Sequence, residues 1–459
     1  MSKSKMRQAV VLIHGIGEQQ PLETLRKFVK SISDNIPFRN KPDKMNELFE
    51  LRRLQMPGSR KDCRPQTDFY EYYWAHHMRD TRMRMIIDWL KFTLFRVPFK
   101  VPAKLLPFYF IGWVLLLSIL AVPLYFFFKL GGMSWEGGLK WIGGGSAVFI
   151  LINFFFVRFV YGYIGDAARY LYPHPDNIKQ RKTIRQEGIA LLRSLHKSRK
   201  YSRIVVVGHS LGSVIGYDLI RHYWATMEPP RTHARGKEQT EIKQFKAEAK
   251  NIIEKNEGKS ANRETKKIEE YRQVQHRLWR ELRFVVNLPW LITDFITLGS
   301  PLTHASMLLA GKSVTFEQKK EEHEFPTCPP QDSDKEDIFY SLLIDPDSKG
   351  EKSTILMPTH SSPFSCTRWT NLYFPHQCFI KGDFIGGPLN PTFGSGIKDV
   401  PVSFKGWSAF LRGWWLSHVN YWRYDSDKVL EKNNSHPLAN LRSVLMLESL
   451  RSKEEWPEP

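Results

Sequence analysis

Cysteine is scarce in this chain of 459 residues. There are four, Cys63, Cys328, Cys366 and Cys378, and no two form a C-x-x-C pair. That pattern speaks against a disulfide framework and against a cysteine zinc ribbon, and suits a reducing compartment with free thiols. No H-E-x-x-H occurs, and the neighbours His76 and His77 are not expected to share one helical face, so no metal site is expected. There is no P-loop glycine signature, and the expected cofactor list is empty. Acids are in deficit: 47 Asp and Glu stand against 67 Lys and Arg, a formal net charge of +20. Such an excess suits an anionic partner, either nucleic acid or a phospholipid surface. No zinc-finger spacing or nucleic-acid-binding motif is present, so nucleic acid is not expected and the lipid surface is. The first apolar run, Ala9 to Ile13, is too short for a signal-peptide core and reads as a buried strand.

Charge is missing altogether from two stretches. Residues 105–128, LLPFYFIGWVLLLSILAVPLYFFF, and residues 141–157 carry none, and the second continues past Arg158 as FVYGYIG. About 20 apolar residues span a bilayer as a helix, so the two runs and the loop KLGGMSWEGGLK between them predict a membrane hairpin over 104–164. Pro107 and Pro123 are tolerated in such helices. Residues 79–104 hold seven Lys or Arg against two acids, and residues 158–185 six against two. Positive flanks stay cytoplasmic. The expectation is therefore a cell-membrane protein with two spans, its soluble parts on the cytoplasmic side and its basic flanks against anionic headgroups.

The rest alternates between two patterns. QAVVLIHG, IVVVGHS and LITDFITLGSPL are apolar runs that reach a glycine or a glycine-containing turn, as strands buried on both faces do. DFYEYYWA at residues 68–75 and RWTNLYF also read as strands. Helical patterns separate them, which predicts an α/β class with a mostly parallel sheet and helices on both faces. Residues 231–283 differ, with 24 charges in 53 positions and apolar residues at helical spacing, Ile242, Phe245, Ala249 and Ile252, then Ile268, Tyr271, Leu278 and Leu282. They read as a charged helical insertion or lid, or as a solvated, partly disordered one, and their charge density predicts that a short linker could replace them without loss of activity on small esters.

The sharpest motif is RIVVVGHSLGSVIGYDLI, residues 203–220. A strand, then G-x-S-x-G, then a helix is the context that makes this pattern chemical rather than a plain turn. The glycines permit a sharp bend, Ser210 projects above the sheet edge, and the amides of the following helix face the same spot. His209 is expected to pack beside the turn rather than to act on its neighbour.

The chain resembles a serine esterase or lipase of the α/β-hydrolase superfamily, most like the bacterial lipase-like hydrolases with a GHSLG elbow. The resemblance rests on HGIGEQ at 14–19, VVVGHSLGSVIGYD at 205–218, ITLGSPL at 296–302, GDFIGGPL at 382–389 and SHVNYW at 417–422. It leaves out 76–165 and 231–283. It implies a hydrolase domain in three parts, 1–103 with the oxyanion strand and loop, 165–230 with the elbow and 284–459 with the acid and the histidine. It also implies that the backbone amides of Ile16 and Leu211 form the oxyanion hole, and that the triad follows the order nucleophile, acid, histidine.

In that order the acid falls on Asp383, in a glycine-flanked loop after a strand, with Asp294, Asp345 and Asp399 as competitors. The base falls on His418, among Trp414, Trp415, Tyr421 and Trp422, which would exclude water. His436 lies in a polar stretch, and His360 and His376 precede Asp383. The expected activity is hydrolysis of carboxylic esters, of lipids or other long-chain acyl groups, through an acyl-enzyme on Ser210. A thioesterase or protein deacylase, and a non-catalytic membrane scaffold, are the alternatives. Oligomeric state is not legible.

Overall fold

A computed structural model describes residues 7–16, 20–33, 35–45, 52–59, 64–78, 170–171, 175–227, 239–254, 261–309, 314–332, 337–344, 353–376, 382–404, 417–422 and 435–447, together with Leu106, Tyr109, Phe110, Trp113 and Leu117. The continuous apolar runs of the sequence become β1 (Arg7–Ile13), β5 (Arg203–His209) and β6 (Ile292–Leu298), buried along nearly their whole length. Each lies between other strands with helices above and below, which is why no alternation of polar residues appears in them. The more mixed runs become β2 (Arg39–Pro42), β3 (Arg52–Met56), β4 (Gln66–Tyr72), β9 (Arg368–Tyr373) and β10 (Lys398–Pro401).

These eight strands form one sheet in the order β10-β9-β6-β5-β1-β4-β3-β2. β4, β1, β5, β6, β9 and β10 run parallel, and β3 and β2 close one side antiparallel. From β1, in the middle, the chain passes to the edge strand β2, comes back inward through β3 to β4 beside β1, then crosses over to place β5 on the other side of β1. The direction of growth therefore reverses between β1 and β5. In open α/β sheets the crevice beyond the carboxyl ends of two such strands is where ligands bind. A separate antiparallel pair, β7 (Phe339–Ile344) and β8 (Ser353–Pro358), forms a small second sheet.

Alternate residues of the central strands feed two cores. Val10 and Leu12 of β1 and Val205 and Val207 of β5 pack with Leu25, Phe28, Val29 and Ile32 of α1 (Glu23–Ser33). Ala9, Val11, Ile13, Ile204 and Val206 face the opposite layer, made by α2 (Pro175–Lys197), α3 (Leu211–Ala225), α4 (Thr240–Glu254) and α5 (Ala261–Phe284). A last helix, α6 (Pro437–Val444), joins α1 through Leu438 and Leu441. This is the expected α/β class with a mostly parallel sheet.

The charged segment is where the structure departs from expectation. Two helices form at the predicted spacing, but they do not stand away from the protein. Ile242, Phe245, Tyr271, Leu278, Trp279 and Leu282 are buried in the main core. Even two polar residues of α5 are enclosed: Arg272 donates to Trp369 O at 3.0 Å, and Gln275 donates to Phe364 O at 2.5 Å. Charge density averaged over a segment misled because one face of each helix holds nearly all the apolar residues.

The predicted spans lie outside the described residues, apart from the five isolated positions named above, which are helical. Among the described residues no helix is long and apolar enough to cross a membrane.

Candidate active site

β5 ends at His209, and α3 begins at Leu211. Between them Ser210 has φ 51° and ψ −127°, a conformation that a residue with a side chain adopts only when its surroundings force it. The surroundings do so from several sides. Ser210 N–H donates to Leu298 O of β6 at 2.9 Å. The first turn of α3 is pressed onto the end of β1, where a side chain at Gly212 would run into the carbonyls of Ile13 and His14. A line of hydroxyls fastens the same turn to the loop after β6: Ser213 Oγ donates to Ser210 O at 2.5 Å and lies 2.6 Å from Ser300 Oγ. In the sequence the GS of ITLGSPL is only part of a motif; nothing local signals that Ser300 braces the turn.

Ser210 meets His418 and Asp383 here. His418 Nδ1 is 2.9 Å from Asp383 Oδ2, and His418 Nε2 is 2.9 Å from Ser210 Oγ. A carboxylate can only accept, so Nδ1 carries the proton and donates to Asp383. Nε2 is then the free acceptor, and Ser210 Oγ–H donates to it.

Asp383 is fully buried, and burial alone would push its carboxyl upward; the neighbouring His418, the Gly386 N–H and the Tyr421 hydroxyl outweigh this and hold it at about 2. Its Oδ1 accepts from Ile385 N–H at 2.9 Å and Gly386 N–H at 3.0 Å, and its Oδ2 accepts from Tyr421 O–H at 2.8 Å. Gly299, with φ 56°, passes so close that a side-chain carbon there would lie 2.6 Å from the Tyr421 ring and 2.7 Å from Asp383 Oδ2. The sequence places Tyr421 only in an aromatic ring around the histidine. Its hydrogen bond to the acid has no local sequence signal.

His209 packs beside the turn, edge-on to Trp422 at 4.7 Å. It also donates from Nε2 to the carbonyl of His418 at 2.8 Å, which ties the residue before the serine to the backbone of the histidine. Burial, with the nearby His418 adding to it, pushes its pKa down to about 3, so it holds that bond as a neutral ring. The loop after β1 completes the surroundings. His14 is buried and stacked on Trp74 at 5.2 Å, and a side-chain carbon at Gly15 would lie 2.9 Å from Ser210 Cβ. Ile16 is half-buried against the main core, and Leu211 is buried at the start of α3, where the first amides have no acceptor within the helix.

The competing residues have other employment. Asp294 is enclosed by Arg203 at 3.1 Å and Arg368 at 3.0 Å, which hold it ionised against burial. Asp399 accepts from the amides of Leu389 and Asn390. His436 is buried and caps α6, accepting from Leu438 N–H at 3.2 Å. His360 is exposed in the turn after β8, and His376 is half-buried after β9. Asp345, Trp414 and Trp415 lie outside the described residues.

No metal site is expected from His76 and His77; in the structure, on the turn after β4, both bring Nε2 towards Glu187 of α2, 3.9 Å and 2.7 Å from its Oε2. Comparison of the chain with protein-family models, with curated proteins and with solved structures finds no match.

Proposed function

We propose that this protein is a serine hydrolase with the α/β-hydrolase architecture, cleaving carboxylic esters through an acyl-enzyme on Ser210. The observation that carries this reading is the relay from Ser210 through His418 to Asp383, two contacts of 2.9 Å converging on a strained serine at the sheet's switch point. In the first step Ser210 Oγ attacks the carbonyl carbon while its proton passes to His418 Nε2. The imidazolium is stabilised by Asp383, already ionised and hydrogen-bonded on both oxygens. The amides of Ile16 and Leu211 receive the oxyanion, a contribution worth about a hundredfold or more in turnover per donor. Collapse expels the alcohol with the proton from His418. Water then attacks the acyl carbon as His418 takes one of its protons, and collapse releases the carboxylic acid while His418 returns that proton to Ser210 Oγ.

The deciding experiment is labelling with a fluorophosphonate. The wild type reacts and Ser210→Ala does not. A folded wild type that stays unlabelled returns the protein to the scaffold reading. Esters, thioesters and acylated peptides of graded chain length then separate an esterase from a deacylase.

The substrate we assign is a lipid or long-chain acyl ester, and the location the cytoplasmic face of a cell membrane with anionic headgroups. The support is the uncharged runs at 105–128 and 141–157 with their basic flanks. They fall between β4 and β5, which meet β1 on either side. Both halves of the sheet must therefore lie on one side of a bilayer, which an even number of spans satisfies. Cysteines introduced as Ser134→Cys and Ser198→Cys label from opposite sides; labelling of both from one side removes the topology.

A further inference from the structure

The sheet and the inserted segment meet at one cluster. The chain leaves β4 through a helical turn, Ala75–Met78, and is described again at Tyr170, Leu171 and α2. His76 and His77 stand at the exit, and Glu187 lies midway along α2 beside them. His77 Nε2 lies 2.7 Å and His76 Nε2 3.9 Å from the same oxygen, Glu187 Oε2, across 110 positions of sequence in the case of His77. One donor atom from each of the three side chains lies within 4.8 Å of the other two.

We propose that His76, His77 and Glu187 form a binding site for a divalent first-row transition cation, zinc in type, which clamps the turn after β4 to α2. Two imidazole nitrogens and one carboxylate oxygen are a donor set that such ions take, with water completing the shell. In a tetrahedral site with bonds of about 2.0–2.2 Å the donors stand about 3.3–3.6 Å apart. The separations of 2.7 and 3.9 Å fall on either side of that range, so small side-chain rotations complete the set. All three side chains keep some exposure, 26%, 18% and 44%, which leaves an entry path and a position for water.

The two imidazole rings lie 3.7 Å apart between centroids and turn to the same carboxylate, an arrangement that costs repulsion when both are protonated and is favourable when both are neutral ligands. The mountings are firm. His77 N–H donates to Trp74 O at 3.1 Å, and His76 stacks on Tyr73 at 5.5 Å and 9°. Tyr73 in turn faces His14 at 5.4 Å, so a bound ion stiffens the turn that carries the β1 loop. The clip also closes a long stretch of chain, where a cross-link removes the most unfolded-state freedom.

The test uses the untagged full chain, stripped with chelator and titrated with buffered zinc, and with cobalt for its visible spectrum. We expect one ion per chain with cobalt bands of nitrogen and oxygen ligation, and a zinc-dependent rise in melting temperature. His77→Ala and Glu187→Gln each weaken binding by more than about a hundredfold, beyond the loss typical of an outer-shell partner. Glu187→Gln keeps the shape and an acceptor for His77, so it separates ligation from folding. His323→Ala, at a half-buried histidine elsewhere, binds zinc as the wild type does. Stoichiometry and affinity unchanged in Glu187→Gln, or no binding by the folded wild type, overturn the proposal.

Discussion

The Tyr421 hydroxyl donates to the same oxygen of Asp383 that accepts from His418, at 2.8 Å, and itself accepts from Phe374 N–H at 3.2 Å. The acid is thus held by a side chain that lies three residues beyond the histidine it serves. Asp383→Asn keeps the size of the acid but favours the wrong imidazole tautomer, and its kcat should fall by about ten-thousandfold. Tyr421→Phe removes one bond to a charged group, worth ~1.5–3 kcal/mol, so kcat should drop about ten- to a hundredfold with KM little changed. Near-normal turnover in Tyr421→Phe would reduce the tyrosine to packing. Near-normal turnover in Asp383→Asn would remove Asp383 as the acid.

Gly299→Ala should damage the site without touching any reacting group. Its φ of 56° disfavours a side chain, and the added carbon meets both Tyr421 and Asp383. The backbone strain costs about 1–3 kcal/mol, and displacement of the carboxylate adds a loss of turnover. Thermal melting and ester kinetics read the two effects separately. An alanine variant with wild-type kcat would show that the Asp383 contact tolerates movement.

Glu71 supplies a pH dependence of stability. It is buried in β4 and accepts from Leu22 N–H at 2.6 Å, just before α1. Burial raises its carboxyl from 4.5 to about 7 despite the amides of Leu22 and Leu25. An acid with a higher value in the folded state stabilises the fold fully below its unfolded value, and that contribution, on the order of 3 kcal/mol, is lost as pH rises from about 4.5 through about 7. Glu71→Gln should remove this slope, so that it is stabilising relative to wild type at pH 8 and close to neutral at pH 5. Denaturant midpoints at the two pH values decide it, and equal differences at both would contradict the raised value.

Asp383 acts in the opposite sense. Its folded value of about 2 lies below its ordinary 3.8, so the stability it supplies is present above pH 4 and is lost as pH falls through about 2.

The α4–α5 hairpin should prove indispensable to folding, against the expectation drawn from its charge. Trp279 is buried and donates from Nε1 to Trp290 O at 3.0 Å. Trp279→Ala should cost about 3–5 kcal/mol, measured by urea denaturation, and replacing 240–284 by a linker should abolish cooperative unfolding. A cooperative, active deletion would show that the sheet is adequately covered without α5.

The order of amino acids determined by itself what depends on near neighbours. Apolar runs specified β1 and β5, and a less pure one, broken by Thr293 and Asp294, specified β6, because strands covered on both faces tolerate few polar positions. Gly208-His209-Ser210-Leu211-Gly212 marked a sharp bend, because bulk is excluded beside the serine. The spacing of Ile242, Phe245, Tyr271 and Leu278 marked two helices. Pattern and chain order also nominated Ser210, Asp383 and His418.

Only the tertiary structure decided which side chains meet. Ser210 and His418 are 208 positions apart, and their contact follows from the order of strands that sets β5 beside β1 and β6. The Tyr421 bond to Asp383, the His209 bond to His418 and the convergence of His76 and His77 on Glu187 likewise join separate elements. Local periodicity says which face of an element is apolar, but not which element will cover it. For that reason the charged hairpin read as peripheral, and two adjacent histidines read as divergent until α2 supplied the carboxylate between them.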